Sequence, residues 1–132
     1  MSRAKKPGLT RRQEVQQRAM LRKDGGSWYH PYLYAKRNTG ECDGMCAYFF
    51  AKKWQGRAID VHGLQRVVIR SGFAKAAYLF ARDIEGANIR RLQRIIMDSG
   101  SADQKRQFAR DIPGAAVQHL EALAIIQEVM EL

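Results

Sequence analysis

Phe80-Ala81-Arg82-Asp83-Ile84-Glu85-Gly86-Ala87 returns 28 residues later as Phe108-Ala109-Arg110-Asp111-Ile112-Pro113-Gly114-Ala115. Outward from that pair, Leu64-Gln65-Arg66-Val67-Val68 falls on Leu92-Gln93-Arg94-Ile95-Ile96, and Ser71-Gly72 on Ser99-Gly100. Between Leu64 and Asn88, 13 of 25 positions are identical under this shift. Unrelated sequence of ordinary composition would match at about one or two. The segment is therefore an internal duplication, and the period sets the size of its structural unit.

Within each unit the apolar spacing is helical. Val61, Leu64 and Val68 match Ile89, Leu92 and Ile96 at i, i+3 and i+7, which places them on one face of a helix. Val117, Leu120 and Ala124 continue the pattern and open a third unit, of which only the first helix is present. Asn88 stands where a helix needs an N-cap, and Ser101 with Gln104 forms a capping-box pattern. Gly72, Gly86, Gly100 and Gly114 fall where the chain leaves a helix through a left-handed residue, and Pro113 cannot continue one. Helices of about 8 to 11 residues are marginal alone in water, so each must bury its stripe against the neighbouring unit.

Ala47-Tyr48-Phe49-Phe50-Ala51-Lys52 is similar to Ala77-Tyr78-Leu79-Phe80-Ala81-Arg82 and marks a degenerate earlier copy. The predicted fold class is all-α: a short right-handed helical-repeat, solenoid-like bundle of helix pairs with a basic N-terminal helical arm. The expected boundaries are an arm over 1–26 and a repeat domain over 27–132. That domain divides into a degenerate unit at about 30–60, repeats 61–88 and 89–116, and a terminal helix 117–131. Asp83 and Asp111 lie near helix C-termini, where the helix dipole disfavours negative charge. Their recurrence predicts a structural partner, either a neighbouring arginine or the amides of the next helix.

The Phe-Ala-Arg-Asp-Ile-x-Gly-Ala unit resembles the tandem helical repeats of uncharacterised bacterial and phage proteins, which in turn resemble short HEAT-type or armadillo-type solenoids. The resemblance covers about residues 61–132 and, weakly, 45–60. It implies the solenoid fold and a binding role, and it names no ligand, because such solenoids bind many kinds of partner.

The 132-residue chain is the size of one domain, 45% of it hydrophobic and 27% charged, which excludes a disordered polar chain. No apolar run approaches the length that spans a bilayer, and Met1-Ser2-Arg3-Ala4-Lys5-Lys6 leads into charge, so neither export nor a membrane location is predicted. With only Cys42 and Cys46, the expected setting is a reducing cytoplasm. The net charge of +10 favours an acidic partner. It is unevenly spread: residues 1–60 carry a net +8 and residues 61–132 a net +2.

That first half also holds eight of the twelve aromatic residues between Ser27 and Trp54, interleaved with cations. Aromatic rings beside lysine or arginine can stack bases while pairing phosphates. Arg11, Arg12, Arg18, Lys36, Arg37, Lys52 and Lys53 are the candidate phosphate contacts, and Trp28, Tyr32 and Tyr34 the candidate stacking platforms. Two readings stand for Trp28, Tyr29, Tyr32 and Tyr34: a binding surface or a cap on the solenoid end. Phe49, Phe50 and Trp54 align with a buried repeat helix and read as core. Residues 1–24 read either as an arm ordered by an acidic partner or as a solubilising terminus, with a thin apolar side of Val15, Ala19 and Leu21 on its helix.

Cys42 and Cys46, even with His30, Glu41 or Asp43, lack the second ligand pair of a structural zinc site. The scattered His30, His62 and His119 form no catalytic arrangement, so no enzyme activity, metal or cofactor is expected. The leading expectation is a binding protein for nucleic acid or a nucleoprotein. The alternative is a protein-interaction module, such as a phage or mobile-element factor docking on a host protein or on a second copy. It is motivated by the C-terminal helix, apolar around most of its circumference through Leu120, Leu123, Ala124, Ile125, Ile126, Val129, Met130 and Leu132.

Overall fold

The computed structural model describes residues 7–21 and 41–131, within which every regular element is an α-helix. In chain order these are α1 (Arg11–Leu21), α2 (Glu41–Lys53), α3 (Val61–Ser71), α4 (Ala74–Asp83), α5 (Ile89–Ser99), α6 (Ala102–Asp111) and α7 (Val117–Met130). Neighbours in contact are α2 with α3 and α4, α4 with α5 and α6, and α6 with α7, while α3 touches α1 and α5. None of these helices is long and apolar enough to cross a membrane.

Local chemistry sets the helix ends. Asp60 caps α3 by accepting from the Gly63 amide, Asn88 caps α5 by accepting from the Arg91 amide, and Ser101 and Gln104 close a reciprocal capping box on α6. Gly86 and Gly114, with φ of 85° and 87°, turn the chain out of α4 and α6 in a left-handed conformation that side chains strain to adopt. Gly100 departs from the expectation: it is extended, at φ −78° and ψ 151°. Glycine is needed there for space, because a Cβ would meet the Ile96 carbonyl oxygen at 2.5 Å. The buried Lys105, which takes the place of Ala77 in the preceding unit, donates to the Gly100 carbonyl at 2.7 Å and to Gln127 Oε1 on α7 at 2.5 Å.

The core is formed by equivalent residues of the two units. Phe80, Phe108, Leu64, Leu92, Leu120, Val68 and Ile96 are fully buried, and Ile84 and Ile112 nearly so. Each such side chain contributes about 1.5–3 kcal/mol relative to exposure. Two expectations need correction. Phe49 is exposed, since Cys46, Ala47, Phe50 and Ala51 take the inward face of α2. On α1, Val15 faces solvent, and Gln13, Ala19 and Met20 make the inward side, with Met20 joining the common core.

A polar rail ties α2, α4 and α6 together. The Tyr48 hydroxyl donates to Asp83 at the end of α4, and the Tyr78 hydroxyl donates to Asp111 at the end of α6 at 2.7 Å. Each aspartate is also held by the arginine before it: Arg82 Nε reaches Asp83 at 2.7 Å and Arg110 Nε reaches Asp111 at 2.9 Å. Lys52 adds a second cation to Asp83 at 3.3 Å. The Arg82 guanidinium, followed by the Tyr48 and Lys52 bonds, holds the Asp83 carboxyl well below the usual carboxylate range, and Arg110 then Tyr78 lower that of Asp111. Burial, reinforced by the facing carboxylate, pushes both tyrosine hydroxyls up. In the last rung the tyrosine position is Arg106, and its partner is Glu128 of α7.

A second set of bonds repeats on the other side of each unit. Gln65 Oε1 accepts from the Asn88 amide at 2.6 Å, and Gln93 Oε1 accepts from the Ala116 amide at 2.7 Å. Gln65 thus fixes the entry of α5, and Gln93 that of α7.

Candidate nucleic-acid interface

The first cationic element is α1. Its start is closed by a capping box, with Gln13 donating its amide to Thr10 Oγ1 and the Thr10 amide donating to Gln13 Oε1. The helix is tied down at both ends: the Ala58 amide donates to the Pro7 carbonyl, Arg57 Nη1 to the Gly8 carbonyl, and the Asp60 amide to Gln17 Oε1. With Gln13, Ala19 and Met20 facing inward, Arg11, Arg12 and Arg18 are left exposed. None of the three guanidinium groups is engaged by another described residue, and Glu14 is the only acid on the helix.

The other predicted contacts fare differently. Lys52 is exposed, but its ammonium lies on Asp83 and 5.8 Å from the centre of the Tyr48 ring. Lys53 is exposed with its ammonium 5.1 Å over the Trp54 ring. Trp28, Tyr29, Tyr32, Tyr34, Lys36 and Arg37 lie outside the described residues, as do His30 and the Cys42 side chain.

A feature not anticipated from the sequence lies between α3 and α5. There a groove of about 550 Å³ is lined by Arg66, Arg91 and Arg94, by Ile69 and Ile95, and by Asp98. The three arginines are exposed and without a charged or hydrogen-bonding partner among the described residues. A signal for it existed: Arg66 and Arg94 hold the same position of the repeated Leu-Gln-Arg segment, so successive helices present the same cation. The near-balance of charge over residues 61–132 concealed it, because acids elsewhere in that half cancel the arginines in the sum.

At the far end, α7 buries only Leu120 and Ala124, while Val117, Ile125, Ile126, Val129 and Met130 are exposed. From Pro113 onward the chain has no lysine or arginine, and Glu121, Glu128 and Glu131 flank this apolar face. Among the described residues, no group of three or more His, Cys, Asp or Glu side chains is placed to share a metal ion. Comparisons of the chain with protein-family models, curated protein sequences and solved structures find no match.

Proposed function

We propose that this chain is a small cytoplasmic binding protein, a right-handed helical-repeat stack of the HEAT or armadillo type, that engages nucleic acid or a nucleoprotein through its basic N-terminal half. The observation that carries the reading is α1, whose exposed and unengaged Arg11, Arg12 and Arg18 are held on a helix anchored at both ends. Because the helix that carries them is already fixed, phosphate binding has only the arginine side chains left to order, and each phosphate neutralised releases condensed counterions. Lys53 adds charge beside an aromatic ring, an arrangement suited to a stacked base. The test is an electrophoretic shift with short RNA and DNA: binding is expected at low salt and should fall steeply as salt rises, and absence of a shift at low salt removes the reading.

The exposed apolar face of α7 favours a second role, as a docking surface for another protein or a second copy. Light scattering across a concentration series tests it: mass should rise with concentration if the occupant is a second copy.

A further inference from the structure

We propose that the groove between α3 and α5 is a binding site for single-stranded nucleic acid, in which Arg66, Arg91 and Arg94 hold phosphates and the apolar surface of Ile69 and Ile95 receives a base. This deepens the nucleic-acid reading above and rests on it, but places contacts on elements outside the N-terminal half.

Three observations converge on that ligand. Its lining carries three cations, none in an ion pair with a described residue, against the single acid Asp98, so the groove keeps a positive excess and attracts an anion. Every Lys or Arg on α3 and α5 is arginine, namely Arg66, Arg70, Arg90, Arg91 and Arg94, with no lysine among them. A planar guanidinium pairs phosphate through two parallel bonds and also stacks on bases, which an ammonium cannot do. Finally, the groove lining is largely apolar, with Ile69 and Ile95 beside the arginines, whereas a site for a bare anion needs no such surface. A base freed from pairing has a flat apolar face to bury there, while the bases of a duplex are already stacked inside it. Asp98 at the groove edge can accept from an exocyclic amine or a ribose hydroxyl.

The test uses the full chain and a fluorescein-labelled single-stranded RNA 20-mer in an anisotropy titration over a salt series. Three proteins are compared, with circular dichroism to verify folding: wild type, the groove variant Arg66→Gln/Arg91→Gln/Arg94→Gln, and the α1 variant Arg11→Gln/Arg12→Gln/Arg18→Gln. The groove variant should bind about tenfold or more weakly at low salt, and its slope of log affinity against log salt should flatten by about 2, from roughly 0.7 per phosphate lost. Duplex DNA should compete poorly and poly-glutamate hardly at all. If wild type binds and the groove variant matches it while the α1 variant weakens, the groove assignment is overturned and the nucleic-acid reading survives. If poly-glutamate binds as tightly as RNA, the groove recognises acidic peptide and the assignment is overturned. If wild type binds no nucleic acid at low salt, the broader reading fails and the groove assignment with it.

Discussion

Tyr48 and Tyr78 do the same task in adjacent units, yet their surroundings differ enough to rank them. The Asp83 side chain is 16% exposed and that of Asp111 29%, so water replaces a lost tyrosine bond more easily at the second rung. Tyr48→Phe should therefore cost about 1 kcal/mol of stability, the usual net worth of such a bond, and Tyr78→Phe less, as read by urea denaturation. Asp83 also carries a pH signature. Its folded-state proton affinity lies below the ordinary carboxylate value, so its contribution is complete above about pH 5 and is lost as pH falls through the unfolded and then the folded value. The stability gap between wild type and Asp83→Asn should hold constant from neutrality to about pH 5 and close on further acidification. A gap that widens in acid would contradict this. The recurrence of Asp83 and Asp111 was legible in the sequence, and so was the arginine as a partner. The tyrosine was not, since it lies 35 residues away for Asp83 and 33 for Asp111, in spacings that match no period of the sequence.

Among elements, α3 and α5 were the most legible, because a strong apolar stripe and a side-chain cap agree at each of them. Their spacing also identified the buried Leu64, Leu92 and Ile96 in advance. What the period could not show was which polar residues turn inward. Gln65 is buried, and its amide oxygen holds the start of the α5 segment at Asn88. Gln65→Ala should destabilise by about 1–3 kcal/mol, because it strands a backbone donor, whereas Gln65→Glu, which keeps an acceptor, should recover part of the loss in the same thermal melt. The groove between these helices escaped notice for a related reason. Summed charge is blind to direction, and only the helical register reveals that Arg66, Arg91 and Arg94 converge while Asp103 and Glu121 belong to other elements. In α2 the register misleads in the opposite sense: alignment with a buried helix points Phe49 inward, whereas Cys46, Ala47, Phe50 and Ala51 occupy that face.

Across the whole molecule the charge runs from a cationic end at α1 and the α3–α5 groove to an acidic, apolar end at α7. Phe108, on α6, is fully enclosed in the common core. Phe108→Ala should cost about 3–5 kcal/mol, measured by denaturant titration, and should loosen the C-terminal end ahead of the rest. The third rung of the polar rail gives that end a property of its own. Where the first two rungs pair a phenol with a carboxylate, Arg106 and Glu128 form an ion pair, with side chains 40% and 47% exposed. Dissolved electrolyte shields two exposed opposite charges from each other far more than it weakens a half-enclosed hydroxyl bond. Brine can accordingly slacken one clasp of the final helix while Leu120, Ala124 and the Lys105–Gln127 bond keep it seated, so that amide deuteration in concentrated sodium chloride should quicken modestly over Val117–Met130 and less over α4.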